Sequence, residues 1–191
     1  GQFAGLVAAF DALKDSSIEA IKKFQDEGIE VHMFTGDNQN TAEIVAKQAG
    51  IKHVQASLLP EDKLNGIKKI QAEGKKVIMV GDGINDAPAL TQADIGIAMG
   101  TGTDVAIQSA EITLVKGDLK AVHKAYKLSK MMLRNIKQNL GFAFLYNVIG
   151  IPIAAGILYP SFGILMSPMI AAAAMSLSSV SVIVNSLRLN N

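Results

Sequence analysis

From Gln138 to Leu187 the chain carries no Asp, Glu, Lys or Arg. Fifty uncharged residues in succession would need a very large soluble core, so a bilayer is the simpler environment for them. A membrane-crossing helix takes about 20 mostly apolar residues. Two such runs fit, residues 139–159 and 163–187, with Pro160-Ser161-Phe162 as a turn between them. Lys127, Lys130, Arg134 and Lys137 precede the pair and Arg188 follows it. Positive flanks favour the cytoplasmic side, so both ends are expected there and the turn outside. The chain is thereby divided into residues 1–137, which hold the other charges, and residues 138–191.

The charge balance narrows the function classes. Among 191 residues, 18 Lys and Arg face 17 Asp and Glu, a formal net charge of +1. A nucleic-acid binder normally carries a basic surplus, so no nucleic-acid partner is expected. The chain has no Cys, which removes disulfides, thiolate metal centres and thiol nucleophiles. His32, His53 and His123 are scattered along the sequence and read as core or surface residues rather than metal ligands.

Residues 1–137 alternate strand and helix signals. Strands are expected at 2–10, 29–34, 53–57, 77–80, 95–98 and 112–115. Between them, Ser16-Ser17-Ile18-Glu19 has the form of a capping box. A helix over 40–48 ends at Gly50, and Pro60 opens another that ends near Gly74. Asp118 caps a last helix directed toward Lys137 that continues into the apolar region. Alternation of this kind predicts an α/β fold, a parallel sheet with helices on both faces. Such folds collect their chemistry at the carboxyl ends of strands.

Three polar signatures fall at those ends. Thr35-Gly36-Asp37 follows the 29–34 strand; its hydroxyl and backbone N–H groups suit a phosphoryl oxygen, and an ordinary turn accounts for it equally well. Lys63, in Pro60-Glu61-Asp62-Lys63, is placed to neutralise a phosphate or simply to be solvated. Gly81-Asp82-Gly83-Ile84-Asn85-Asp86-Ala87-Pro88 puts two carboxylates four residues apart on a glycine-flanked loop, with the Asn85 amide beside them. Asp82 and Asp86 suit a hard cation such as Mg2+, because facing carboxylates without a cation repel. A helix-capping Asp86 is the simpler account of a lone Gly-Asp-Gly, but the eight-residue string is far more specific.

Val80–Leu90, read V-G-D-G-I-N-D-A-P-A-L, resembles the hinge signature of P-type ATPases. With Thr35-Gly36-Asp37 and Pro60-Glu61-Asp62-Lys63 in the same order and spacing, residues 1–137 resemble the C-terminal part of the phosphorylation domain of those pumps. The resemblance implies a haloacid-dehalogenase-like fold followed by a two-helix transmembrane hairpin, the last membrane pair of the heavy-metal class. It implies that Asp82 ligates Mg2+, that Asn85 and Asp86 support the loop and contact phosphate or metal, and that Lys63 stabilises charge on the transferred phosphoryl group. Thr35 would then hydrogen-bond a phosphoryl oxygen and Asp37 orient ATP. Asp11-Ala12-Leu13-Lys14 departs from the family's usual Asp-Pro at this place. No D-K-T-G string, the family's nucleophile motif, occurs in the 191 residues. The chain is therefore expected to be a C-terminal fragment that depends on the nucleotide-binding and actuator domains and earlier helices of the same pump, and to be inactive alone.

The apolar region holds polar residues of its own. Tyr146-Asn147 lies in the first run and Met175-Ser176-Leu177-Ser178-Ser179 in the second. Composition alone favours Met175 as core filler and Ser179 as a small residue for close helix contact. The resemblance points elsewhere: Y-N and M-x-x-x-S look like the Cu(I) pattern of heavy-metal pumps, a thioether being a soft ligand. Met166 and Met169 lie near the exit side. Pro152, with Gly150 and Gly156, is expected to kink the first helix. The reading is an ATP-driven Cu(I) exporter, with Ag(I) as a second cargo. It works through an aspartyl-phosphate, sits as a multi-pass protein in the plasma or inner membrane with its soluble domain cytoplasmic, and is supplied by a copper chaperone. The competing readings are a membrane-anchored Mg2+-dependent phosphatase of the same superfamily, with Asp11 or Asp15 as nucleophile, and a non-catalytic membrane scaffold.

Overall fold

In the computed structural model the described residues are 13–100, 102–115, 117–163 and 167–188. The expected strand at 2–10, together with Asp11 and Met166, lies outside them. The chain divides into two compact units, Gly1–Ala125 and Tyr126–Asn191. The division falls inside a helix, ahead of the boundary that charge placed at Lys137.

The first unit alternates as expected. Its elements are α1 (Asp15–Asp26), β1 (His32–Phe34), α2 (Gln39–Ala49), β2 (His53–Gln55), α3 (Pro60–Ala72), β3 (Ile78–Gly81), α4 (Ala87–Gln92), β4 (Ile95–Met99), α5 (Asp104–Gln108), β5 (Ile112–Leu114) and the start of α6 (Leu119–Ala154). A 3-10 turn, Ile84–Asp86, precedes α4. All strand pairs are parallel. Among the described residues they form two groups, β1-β2 and β3-β4-β5, rather than one continuous sheet. Both groups cover one core: Ile67, Ala89 and Ala93 are buried, and Phe34 of β1 packs on them with Val77 and with Met79 of β3. The approach of α3 to β1 is close. A Cβ on Gly66 would stand 2.7 Å from the Phe34 ring, so a larger residue there would have to displace that ring.

Local chemistry explains the element ends. Asn38 Oδ1 accepts from Thr41 N–H at 3.0 Å to start α2, and Gly50, at φ +71°, ends it in the left-handed conformation that glycine adopts freely. Pro60 takes the first position of α3, where its missing N–H costs nothing. The expected capping box at Ser16 is not used. The N-cap is Lys14, two residues earlier, and it makes no side-chain cap. Glu19 instead pairs with Lys23 at 2.7 Å and Lys120 at 2.6 Å, and those two cations outcompete a backbone amide for the carboxylate. Asp94, at the start of β4, receives Lys76 at 2.7 Å, Val77 N–H at 3.0 Å and Gln71 at 3.1 Å. These bonds hold its carboxyl well below the usual carboxylate range.

The second unit holds the rest of α6, then α7 (Tyr159–Phe162) and α8 (Pro168–Leu187). α6 and α8 are joined by amides. Asn135 donates to Asn185 O at 2.7 Å, Asn185 donates to Asn139 Oδ1 at 2.9 Å, and Asn139 donates to Ser186 Oγ at 3.0 Å. Asn135 and Asn185 are buried. The expected spans are shortened. Pro152 lies inside α6, which ends two residues later at Ala154, before Gly156 at φ +85°. Pro160 and Ser161 lie in the helical turn α7 rather than in an open turn. Among the described residues no helix is both long and apolar enough to cross a membrane. The uncharged part of α6 covers residues 138–154.

Candidate functional site

The loop after β3 is organised around Asp86. Its carboxylate turns back toward the strand: Oδ2 accepts from Gly83 N–H at 3.3 Å and Asp82 N–H at 3.4 Å. Its Oδ1 accepts from the Lys63 ammonium at 2.7 Å. Asp86 is buried, at 9% exposure. Asp86 makes no side-chain cap to α4, but its bond from Gly83 N–H caps the 3-10 turn Ile84–Asp86. Gly81 makes this geometry possible, since a Cβ there would stand 2.7 Å from Asp86 Cβ. Lys63 comes from the first turn of α3, which Asp62 fixes by accepting from Leu59 N–H at 2.9 Å.

Asp82 differs from Asp86. Its side chain is exposed, and among the described residues it has no hydrogen bond or ion pair. Its main chain is fixed by a segment that sequence reasoning did not single out. Thr103 N–H donates to Asp82 O at 2.9 Å, and a Cβ on Gly102 would come within 2.5 Å of the same oxygen. The loop after β4 therefore braces the loop after β3. The glycine-threonine string around Gly100, Gly102 and Thr103 was the available signal. Asn85 is exposed beside Asp82.

Thr35-Gly36-Asp37 follows β1 directly. Thr35 Oγ1 donates to Asp37 Oδ2 at 2.9 Å and accepts from Asp37 N–H at 3.1 Å. The loop after β2 is bonded to it, Leu58 N–H donating to Thr35 O at 3.0 Å and Ser57 N–H to Asp37 O at 2.7 Å. Asp37 and Gly36 are exposed. The unit thus offers a cation held at a buried carboxylate, a second carboxylate facing solvent, and a hydroxyl turn at the end of β1. A free exposed carboxylate on a rigid loop fits a hard cation, whereas both oxygens of Asp86 are already engaged.

In the second unit, Tyr146 Oη and Ser181 Oγ lie 3.3 Å apart, linking α6 to α8. Asn147 donates to Ala143 O of its own helix at 2.9 Å. The side chain of Met175 lies outside the described residues.

Residues 1–94 match the haloacid dehalogenase-like hydrolases, consistent with the parallel α/β fold of the first unit. The chain is 57% identical to the silver exporting P-type ATPase of Salmonella typhimurium over 191 residues, covering 100% of the chain and 23% of that protein. It is 58% identical over 189 residues to the copper-transporting P-type ATPase of Rhizobium leguminosarum bv. viciae, covering 99% and 22%. A zinc-transporting PIB-type ATPase in the E2.Pi state superposes with a TM-score of 0.81 at 34% identity, over 95% of this chain and 28% of that one. The catalytic domain of the CPx-ATPase CopB-B superposes with a TM-score of 0.54 at 35% identity, over 56% and 43%. The sequence is homologous to copper- and silver-exporting P-type ATPases. It spans about a quarter of the length of the curated relatives it matches.

Proposed function

We propose that this chain is the C-terminal part of an ATP-driven Cu(I) exporter that works through an aspartyl-phosphate formed elsewhere in the same pump. The observation that carries the reading is the buried Lys63–Asp86 pair at 2.7 Å beside the exposed, unpaired Asp82 carboxylate. Phosphoryl transfer asks little covalent help from a protein and much positioning and charge neutralisation. Lys63 is held where its charge can meet phosphoryl oxygens, and Asp86 sets its position. Asp82, with Asp86 behind it, is the residue to hold Mg2+, which when bound would neutralise phosphate charge. Thr35 supplies a hydroxyl donor to a phosphoryl oxygen. Asn85 supports the loop, while Gly36 and Asp37 present the turn to the nucleotide.

We place the second unit in the bilayer as a helix pair. Its support is the uncharged sequence and the apolar surface it leaves open, including Phe144, Val148 and Ile151 on α6 and Ile183 and Val184 on α8. Tyr146, Asn147, Met175 and Ser179 are the residues proposed for Cu(I), and silver export by the Salmonella typhimurium relative supports a soft monovalent cargo. The test is ATP hydrolysis by the full pump in membrane vesicles. Cu(I) and Ag(I) should stimulate it, and Asp82→Asn should abolish the stimulation. Stimulation by Zn2+ with none by Cu(I) would overturn the cargo, and full activity in Asp82→Asn would overturn the site.

A further inference from the structure

A second cluster lies at the other end of β1. His32 opens β1 and His53 opens β2, and the parallel register pairs them directly. Their rings stack, with centroids 4.6 Å apart and an interplanar angle of 18°. Glu30, two residues before His32, turns its carboxylate onto both rings. Its Oε1 lies 2.8 Å from His32 Nε2 and 3.4 Å from His53 Nε2. The three ligand atoms all lie within 4.8 Å of one another. Ligands bound to one tetrahedral Zn2+ at about 2.0–2.1 Å stand about 3.3 Å apart, so small side-chain movements bring this set onto one ion. The other carboxylate oxygen, Oε2, receives Lys75 at 2.8 Å. That bond orients the carboxylate as outer partners of metal ligands do, and it leaves Oε1 for the ion.

We propose that Glu30, His32 and His53 form a binding site for a borderline divalent transition-metal ion, with Zn2+ as its representative. Two imidazoles and one carboxylate suit Zn2+, Ni2+ or Cu2+ rather than Mg2+ or Ca2+, which take oxygen ligands. They also differ from the thioether chemistry proposed for the cargo. Three protein ligands leave a coordination position for water. The set is solvent-accessible, His53 being exposed and His32 and Glu30 at the same surface. The ion would clip β1 to β2 at their starts, while Thr35 and Asp37 stand past the other end of β1. It is therefore a site separate from the phosphoryl-transfer loop, and the inference does not rest on the proposed pump activity.

The test is calorimetric titration of Zn2+ into the full-length protein in detergent, with excess Mg2+ present to occupy hard-cation sites. The wild type should bind one more equivalent of Zn2+ than His32→Gln/His53→Gln, or bind it about tenfold or more tightly. Zinc-edge X-ray absorption should show two imidazole ligands in the wild type that the variant loses. His53→Gln alone, at an exposed position, carries the comparison if the double variant does not fold. Equal stoichiometry and affinity in wild type and His53→Gln, or a zinc spectrum without imidazole, would overturn the site.

Discussion

The Lys63 ammonium sits 2.7 Å from Asp86 Oδ1, each side chain 13% exposed. Removing one partner of a largely buried pair leaves the other charge without compensation, at about 3 kcal/mol or more. Lys63→Met and Asp86→Asn should each lower the melting temperature by several degrees. The double variant should lose less than the sum of the two, because the pair is coupled. Melting curves of the four proteins in this cycle check it, and strict additivity would show that the two residues do not act as a unit.

Gly102 faces Asp82 O at a distance no side chain tolerates. In Gly102→Ala the obstructing atoms are backbone, so the loop carrying Asp82 must shift, at about 1–3 kcal/mol. The expected result in the full pump is a raised Mg2+ requirement for ATP hydrolysis. An unchanged Mg2+ dependence would mean that the loop after β4 does not set the geometry of Asp82.

Glu19 is pulled down from 4.5 to about 2, first by its bond to Lys120 and then by Lys23. A carboxyl depressed by folding contributes stability that is fully present above its unfolded value and is lost as pH falls through its folded one. The wild type should therefore exceed Glu19→Gln in stability above about pH 4.5, and the difference should fade toward pH 2. The pair is solvent-exposed, so the effect is small. Melting temperatures measured across that window read it out. A difference that grew on acidification would have the wrong sign.

Met175→Val removes the thioether and keeps an apolar side chain. If Met175 binds Cu(I), stimulation of ATP hydrolysis by Cu(I) should fall about tenfold or more, since thioether and thiolate ligands are what select Cu(I). Phosphorylation of the same variant by inorganic phosphate should persist. Tyr146→Phe deletes only the hydroxyl facing Ser181 and separates a ligand role from a packing role. Unchanged Cu(I) stimulation in both variants would remove them from the cargo path.

Much of the first unit could be read from local chemistry. Gly50 as a stop and Pro60 as a start act within one helical turn, so sequence alone places the end of α2 and the start of α3, whereas the Asn38 cap emerged only in the structure. The capping box at Ser16 failed because Lys23 and Lys120 claim Glu19, and Lys120 is distant in sequence. The end of α6 was missed for a different reason. Counting apolar residues measures length but not where Gly156 turns the chain left-handed.

The sequence by itself determined which residue types the loops carry. Glycines on both sides of Asp82, and Lys63 just after Pro60, are local patterns legible in the sequence. Tertiary structure decided which charges meet. It set Asp86 against Lys63 and left Asp82 open, a difference invisible in a string where both are aspartates. It also set His32 beside His53, which linear spacing had made look scattered. Parallel strands pair residues across a connecting helix, and their register is a property of the sheet that neither strand carries alone.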